Sequence, residues 1–279
     1  MMNKNTLIAL GFASAISFGA SGAALAADAH APQPPRLSWT FSGPFGHFDK
    51  QQLQRGFKVY REVCQACHSL KLVAFRTLGQ SGALGFTEGQ IKTISGEYQI
   101  NDGPNDRGEM FQRPGRPSDY FPPVFANEQA GRATHNGAFP VDLSVIAKAR
   151  TYEVGFPGFL IDIVKQYQEN GVDYIHALLT GYENPPAGEQ LSPTQFWNKF
   201  FPGHKIAMRP PLEDKRVEYT DGSPQTVDQY ARDVTAFLMW AAEPHLEARK
   251  RMGFQVMIFL IVFAGLAYFT KKKIWASAH

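Results

Sequence analysis

The chain has 279 residues, of which 44% are apolar and 19% are charged, with 25 glycines and 19 prolines. This is the composition of a globular protein in which long ordered loops join short helices. The segment 28–248 contains all 25 acidic residues but only 21 of the 28 basic ones, so its formal charge is −4 although the whole chain carries +3. An acidic domain argues against nucleic acid as a partner.

Residues 1–26 have the pattern of a secretory signal peptide. Lys4 provides the positive charge, a short apolar run follows, and Ala24-Leu25-Ala26 matches a cleavage motif. A retained membrane anchor is the alternative, but the apolar run is short and rich in Ala, Gly and Ser. The pattern therefore predicts export, with cleavage after Ala26 and a periplasmic domain over 27–248.

The first helix is predicted to begin at Asp49, after an extended arm over 27–47. The Asp49 carboxylate can cap the helix, and Gln52 stands where a capping partner is expected. Apolar residues then recur at helical spacing, namely Leu53, Phe57, Tyr60 and Cys64. This helix leads directly into the motif described next.

Cys64-Gln65-Ala66-Cys67-His68 has the spacing C-x-x-C-H, at which a haem is attached covalently through two thioethers. His68 would then supply the proximal nitrogen to the iron. A structural zinc site would need two further ligands, and a disulfide would not require the histidine. Cys64 and Cys67 are the only cysteines in the chain, so haem attachment is the favoured interpretation.

The segment from Ser69 to about Pro140 shows little periodicity, which predicts a long loop that is functional or wraps a cofactor. Helices are expected to resume afterwards, and no strong alternating strand is evident. The predicted helices run from Asp142 to Arg150, from Phe159 to Tyr167 with a stop at Gly171, from Tyr174 to Thr180 with a stop at Gly181, and from Ser223-Pro224 to a break at Glu243-Pro244.

A membrane-spanning helix is predicted at the C-terminus. Met252–Thr270 contains no charged residue, and three lysines follow at 271–273. Such a helix is about 28 Å long, close to the thickness of a bilayer's hydrocarbon core. A buried core helix is the alternative, but soluble helices are rarely apolar on every side. We expect an anchor over 249–273 and a cytoplasmic tail over 274–279.

The second axial ligand of the iron would decide the chemistry, because methionine favours electron transfer whereas an open position favours ligand binding or catalysis. Met208 lies in a loop stiffened by prolines on both sides, so spacing favours it over Met110, which is also in a loop. Met239 is expected to pack in a helix. The remaining alternatives are an open site or a histidine: His135, His176 or His204. On these grounds a peroxidase-like catalyst or a haem sensor stays possible beside an electron carrier.

Ordered residues along nearly the whole mature chain resemble the cytochrome c1 family of bacterial type, the haem-c subunits of ubiquinol–cytochrome c reductase (the cytochrome bc1 complex). The residues that carry the resemblance are Arg55-Gly56, Val59-Tyr60, Val63-Cys64, Asp102-Gly103-Pro104-Asn105, Gly108-Glu109-Met110-Phe111, Arg113-Pro114-Gly115, Asp119-Tyr120-Phe121-Pro122, Asn136-Gly137-Ala138, Pro140, Asp142-Leu143-Ser144, Leu178-Leu179-Thr180-Gly181-Tyr182, the loop around Met208, and Trp240-Ala241-Ala242-Glu243-Pro244. The segment Thr151–Gly171 is longer than its counterpart in the mitochondrial members.

The resemblance implies a mainly α fold: a class I cytochrome c-like haem domain with long loops, followed by one C-terminal transmembrane helix. It implies one haem c attached covalently at Cys64 and Cys67, with His68 and Met208 as axial ligands. Met110 does not match the family's axial methionine. Four further residues match positions near the haem, and the first is the expected partner of a propionate: Arg150, Asn136, Pro140 and Tyr174.

The resemblance also implies a function. The chain would pass single electrons from a Rieske iron–sulfur protein to a cytochrome c, in respiration or photosynthesis, while quinol oxidation occurs on another subunit. It would therefore not be an enzyme on its own. Its partners would be cytochrome b and the Rieske subunit in a dimeric complex, with a single span in the inner membrane and the haem domain on the periplasmic side.

Overall fold

The computed structural model describes residues 32–152, 154–165, 167 and 169–276. The predicted signal peptide, 1–26, lies outside these residues, and the predicted tail, 274–279, lies partly outside them. The described part is mainly helical, as predicted. Its elements are α1 (Lys50–Val59), α2 (Glu88–Gly96), β1 (Gln99–Asp102), β2 (Phe111–Pro114), α3 (Glu128–Thr134), α4 (Ile146–Ala149), α5 (Gly158–Lys165), α6 (Asn170–Thr180), β3 (Phe196–Trp197), β4 (Lys205–Ile206), α7 (Val227–Ala242) and α8 (Leu246–Trp275).

Helices α1 and α7 cross at the centre of the core. Phe57 of α1 packs against Phe237 of α7, with ring centroids 5.5 Å apart. Gly56 lies at the closest approach, where a Cβ atom would be 2.0 Å from the backbone oxygen of Asp233. The buried Asp233 carboxylate accepts from Arg55 Nε at 2.9 Å, so the polar group buried by the crossing has a charged partner.

The start of α1 agrees with the sequence prediction. Asp49 caps the helix, because its carboxylate accepts from the backbone N–H of Gln51 at 2.8 Å and of Gln52 at 3.2 Å. The helix then widens into a π-helical turn over Tyr60–Cys64. A π turn displaces the following residues relative to a regular helix and often marks a functional position. The C-x-x-C-H motif begins in this turn.

The prediction of one long loop from Ser69 to Pro140 is wrong in part, because this segment contains several short helices and strands. They are a 3₁₀ turn over Phe75–Gly79, α2, the antiparallel hairpin of β1 with β2, and α3. Tertiary contacts stabilise them, as at Arg113, which forms an ion pair with Asp102 and donates from Nη1 to Asp119 at 2.6 Å. Helices and strands this short show no clear periodicity of apolar residues, so their sequences cannot be distinguished from those of loops.

Three predicted helix boundaries are wrong. The helix expected over Asp142–Arg150 is only the single turn α4. The residue expected to stop α5, Gly171, lies instead in the first turn of α6, where a Cβ atom would be 1.9 Å from the backbone oxygen of Ala147. Close packing of α4 on α6 requires this glycine. Helix α7 begins after Thr226, whose hydroxyl accepts from a backbone N–H, rather than at Ser223-Pro224.

The predicted break at Glu243-Pro244 and the long apolar helix after it are both present. The most apolar 18-residue window of α8 has a mean hydropathy of 2.1 and none of it is buried in the protein. The start of α8 is tied to the N-terminal arm: Glu247 accepts from the backbone N–H of Phe48 at 2.8 Å, and Lys250 donates to the backbone oxygen of Phe41 at 2.5 Å. By length and composition this helix can cross a membrane.

Candidate haem site

The imidazole of His68 is held in one orientation by a backbone carbonyl. Its Nδ1 lies 2.7 Å from the oxygen of Val141. A carbonyl only accepts, so Nδ1 carries the proton of the neutral ring, and Nε2 is left with the lone pair that a metal requires. Burial lowers the pKa of His68, against the effect of the Val141 bond, which favours the neutral ring.

The loop that contains Val141 is bonded along its length to the segment after the motif. Leu143 donates its N–H to the backbone oxygen of Ser69 at 2.9 Å. Lys71 donates its N–H to the Asp142 carboxylate at 2.9 Å. These bonds fix the position of the carbonyl that orients His68, so Asp142 acts on the imidazole indirectly.

The two cysteine thiols are free and half-buried. The backbone N–H of His68 donates to the oxygen of Cys64 at 2.9 Å, and that of Cys67 donates to the same atom at 3.1 Å. Burial, with a smaller contribution from Cys67, raises the pKa of the Cys64 thiol to about 12. In the described part of the chain no cluster of His, Cys, Asp or Glu could hold a metal ion, so a zinc site would find no further ligands there.

Met208 is half-buried in the loop between β4 and α7. Its backbone oxygen accepts from the hydroxyl of Tyr182 at 3.1 Å, which fixes the peptide that carries the thioether. Met110 differs, since it lies in the turn of the β1–β2 hairpin and is 66% exposed. Of the two loop methionines, Met208 is thus the one that the fold holds in place.

Tyr174 and Arg150 lie together, close to Tyr182. Burial raises the pKa of Tyr174, and the nearby Arg150 charge opposes this. Burial also raises the pKa of Tyr182, with Tyr174 contributing. Arg150 follows α4 at the surface and is exposed, so its guanidinium is available to an anionic group.

The remaining two site candidates lie on the loop that orients His68. Pro140 precedes Val141 and is half-buried. Asn136 is exposed and has a φ of 52°, a left-handed conformation that asparagine tolerates better than most residues. The structure thus places Pro140 next to the residue whose carbonyl orients His68, and Tyr174 next to Arg150 and Tyr182.

The three alternative histidine ligands have protein partners. His176 is buried, and its Nε2 lies 3.0 Å from Asp228. His204 stacks on Trp197 with ring centroids 4.8 Å apart. His135 Nδ1 lies 2.9 Å from the oxygen of Gly131. The protein uses all three rings in its own packing and hydrogen bonding.

The residues present fit a haem. A neutral imidazole, two thiols in a C-x-x-C-H motif, a thioether on a held peptide and an exposed guanidinium match the iron, the macrocycle and a propionate. The macrocycle also needs apolar contacts. Apolar side chains on the same elements pack against the core without being fully covered, namely Val63, Ile146, Tyr174 and Leu179.

Three positioning contacts were missed by sequence reasoning. They are the Val141 carbonyl, the Asp142 carboxylate and the Tyr182 hydroxyl. Asp142 and Tyr182 both belong to the ordered set that carried the family resemblance, so that set was the available signal. Nothing in the sequence indicates the role of the Val141 carbonyl, because every residue in the chain has a backbone oxygen.

Comparisons with known proteins identify the family to which the chain belongs. Residues 39–278 match the model of the Cytochrome C1 family. The chain is 48% identical over 264 residues to "Cytochrome c1" of Blastochloris viridis, covering 94% of this chain and 93% of that protein. It is 40% identical over 288 residues to "Cytochrome c1" of Rhodospirillum rubrum, covering 98% and 96%.

A longer relative is "Cytochrome b/c1" of Bradyrhizobium diazoefficiens, with 57% identity over 248 residues. That alignment covers 88% of this chain but only 36% of the relative, so the chain spans about a third of its length. The family match and the full-length relatives show that the chain belongs to the cytochrome c1 family of haem-carrying electron-transfer subunits of the bc1 complex.

Proposed function

We propose that the chain carries one haem c, bound through thioethers to Cys64 and Cys67, with His68 and Met208 as axial ligands. The hydrogen bond between His68 Nδ1 and the Val141 oxygen, 2.7 Å long, carries this proposal because it presents Nε2 as a ligand. When bound, the haem supplies an iron that accepts and releases one electron at a time.

The surrounding residues have positioning roles in this proposal. Tyr182 holds the Met208 peptide, so the weak thioether ligand is presented by a fixed loop. Arg150 pairs with a propionate, since a guanidinium forms strong bonds to carboxylates. Tyr174 lies beside Arg150, while Asn136 and Pro140 shape the loop on the His68 side. A methionine ligand raises the reduction potential, which makes the haem iron a better acceptor of the electron that the Rieske protein supplies.

In the assembled complex the chain takes electrons from a Rieske iron–sulfur protein and passes them to a cytochrome c, and quinol oxidation occurs on another subunit. Cytochrome b and the Rieske protein are its partners, in a dimer. The domain boundaries are a signal peptide over 1–26, a periplasmic haem domain over 27–248 and an anchor over 249–273 in the inner membrane. The relatives named "Cytochrome c1" and the long helix α8 support this arrangement.

Acidic residues after the Met208 loop would steer a basic cytochrome c. In the structure, some of these residues form hydrogen bonds within the protein and others are exposed. Asp214 accepts from the backbone N–H of Val227 at 2.8 Å and so supports the start of α7. Asp221 accepts from Arg55 at 2.8 Å. Glu213 and Glu218 are exposed. All of these carboxylates contribute to the steering field, but the two glutamates can be reversed without breaking the contacts of Asp214 and Asp221.

The variant Met208→Leu tests the axial assignment, with Met110→Leu as its matched control. Met208→Leu should keep the haem mass on the denatured chain, because both cysteines remain. It should also bind carbon monoxide and show a lower midpoint potential, since leucine offers no donor atom. Met110→Leu should change neither property. No gas binding and an unchanged potential in Met208→Leu would contradict the assignment, and haem lost on denaturation would contradict covalent attachment.

A further inference from the structure

Helix α5 has the reverse of the usual polarity of a surface helix. Its acidic residue, Asp162, is turned inward and only 8% exposed, whereas Phe156, Phe159 and Ile163 are 80%, 44% and 67% exposed. Asp162 is also the only ionisable residue between 154 and 163. An exposed apolar face of this kind indicates a surface that contacts a membrane or another protein.

This orientation of α5 is enforced by the N-terminal arm. Arg36 donates from both terminal nitrogens to the Asp162 carboxylate, at 2.7 and 2.9 Å. The Arg36 guanidinium also lies 4.5 Å from the ring centroid of Tyr167. Asp173 of α6 fixes the next stretch of the arm, accepting from Leu37 N–H at 3.1 Å and from a tryptophan indole at 2.8 Å. The outward orientation of the apolar side chains of α5 is therefore fixed by contacts with the rest of the fold.

The same arm joins α5 to the start of the membrane helix. Beyond the bond from Lys250 to the Phe41 oxygen, the exposed ring of Phe45 lies 5.8 Å from that of Phe254 in α8. Glu169, a short way beyond α5, lies within electrostatic reach of Lys250. These contacts place Glu169, four residues after the end of α5, near the level at which the apolar part of α8 begins.

We infer that α5 lies in the interface of the bilayer, with Phe156, Phe159 and Ile163 at the boundary between headgroups and acyl chains. The inference rests on the proposed anchor role of α8. Lipid is favoured over a protein partner because the apolar face lies beside an anchor, and because the one charged side chain between 154 and 163, Asp162, is turned inward and paired with Arg36. The haem domain thus has a second membrane contact, which restricts its rotation about α8.

A nitroxide attached at Ile163→Cys tests this, because the native cysteines carry thioethers in the haem protein. The full-length haem protein, without partner subunits, is reconstituted into phosphatidylcholine vesicles. The measured quantity is the ratio of nitroxide collisions with oxygen, which concentrates in lipid, to collisions with a water-soluble nickel chelate. Gln190→Cys is the aqueous control, because Gln190 is exposed in the loop that follows α6; the end of α6 from which this loop starts is about 16 Å from Glu169. Met257→Cys in α8 is the lipid control.

We expect the ratio at Ile163 to be at least threefold above that at Gln190, and to move toward that at Met257. A ratio at Ile163 equal to that at Gln190 would overturn the inference. If Ile163 is open to the nickel chelate in vesicles but shielded from both reagents in the assembled complex, a protein partner covers the patch and the inference is also overturned. A water-exposed Met257 would instead contradict the anchor itself, so the two failures are distinguishable.

Discussion

The crossing of α1 and α7 predicts a large effect from a single methyl group. In Gly56→Ala the new Cβ would be 2.0 Å from the backbone oxygen of Asp233 and 2.7 Å from the Cβ atom of Phe237. Relaxed carbon contacts are about 3.5 Å or longer, so the helices must separate. Backbone atoms cannot turn aside as a flexible side chain can, and the displacement would disturb the buried bond between Arg55 and Asp233.

The magnitude follows from two opposing terms. Overpacking a core costs about 1–3 kcal/mol, and the backbone clash places this site near about 3 kcal/mol. Alanine is better than glycine in a helix by about 1 kcal/mol. The net loss for Gly56→Ala should then be about 2 kcal/mol, a fall in Tm of roughly 4–8 °C for a domain of this size.

Thermal unfolding of the purified haem protein, followed by far-ultraviolet circular dichroism, measures this loss. The matched control is Gly89→Ala on α2, where a Cβ atom would meet nothing within 4 Å. Its Tm should stay level or rise slightly, because only the helix propensity changes. A Gly56→Ala variant that melts with or above Gly89→Ala would refute the close crossing.

The other predictions concern charge and anchoring. Arg113 lowers the pKa of Asp119. Their ion pair therefore contributes its full stabilisation above the unfolded-chain pKa of about 3.9, and this contribution is lost as pH falls through the lower folded-state pKa. Asp119→Asn should lower Tm more at pH 7 than at pH 2, and an equal loss at both would contradict this. A chain that ends at Arg251 keeps the bonds from Glu247 and Lys250 to the arm and should be released from the membrane as a haem protein; membrane association as tight as that of the full chain, without partner subunits, would refute the anchor. Reversing Glu213 and Glu218 to lysine should flatten the fall of the electron-transfer rate with salt for a basic cytochrome c, with an unchanged haem spectrum; an unaltered salt slope would exclude steering by these residues.

Local sequence was sufficient wherever the physical cause is local. The cap at Asp49 depends on a carboxylate placed two and three residues before the N–H groups it accepts from. The apolar stretch of α8 depends on the absence of charge over one bilayer thickness, and Pro244 ends α7 because proline cannot continue a helix. The C-x-x-C-H motif belongs to the same class, since its spacing alone brings the two thiols and His68 together.

Tertiary structure decided the features that join distant parts of the chain. The Val141 oxygen and the His68 imidazole that it orients are 73 positions apart in the sequence. No residue type indicates in advance which backbone carbonyl will accept a given hydrogen bond. Gly171 looked like a helix stop, yet its missing side chain admits the backbone of α4. A helix was predicted at α5, but only the pairing of Asp162 with Arg36, 126 positions away, shows that the apolar side chains point outward. Sequence determined which groups could bind a haem, and long-range packing decided how each is held.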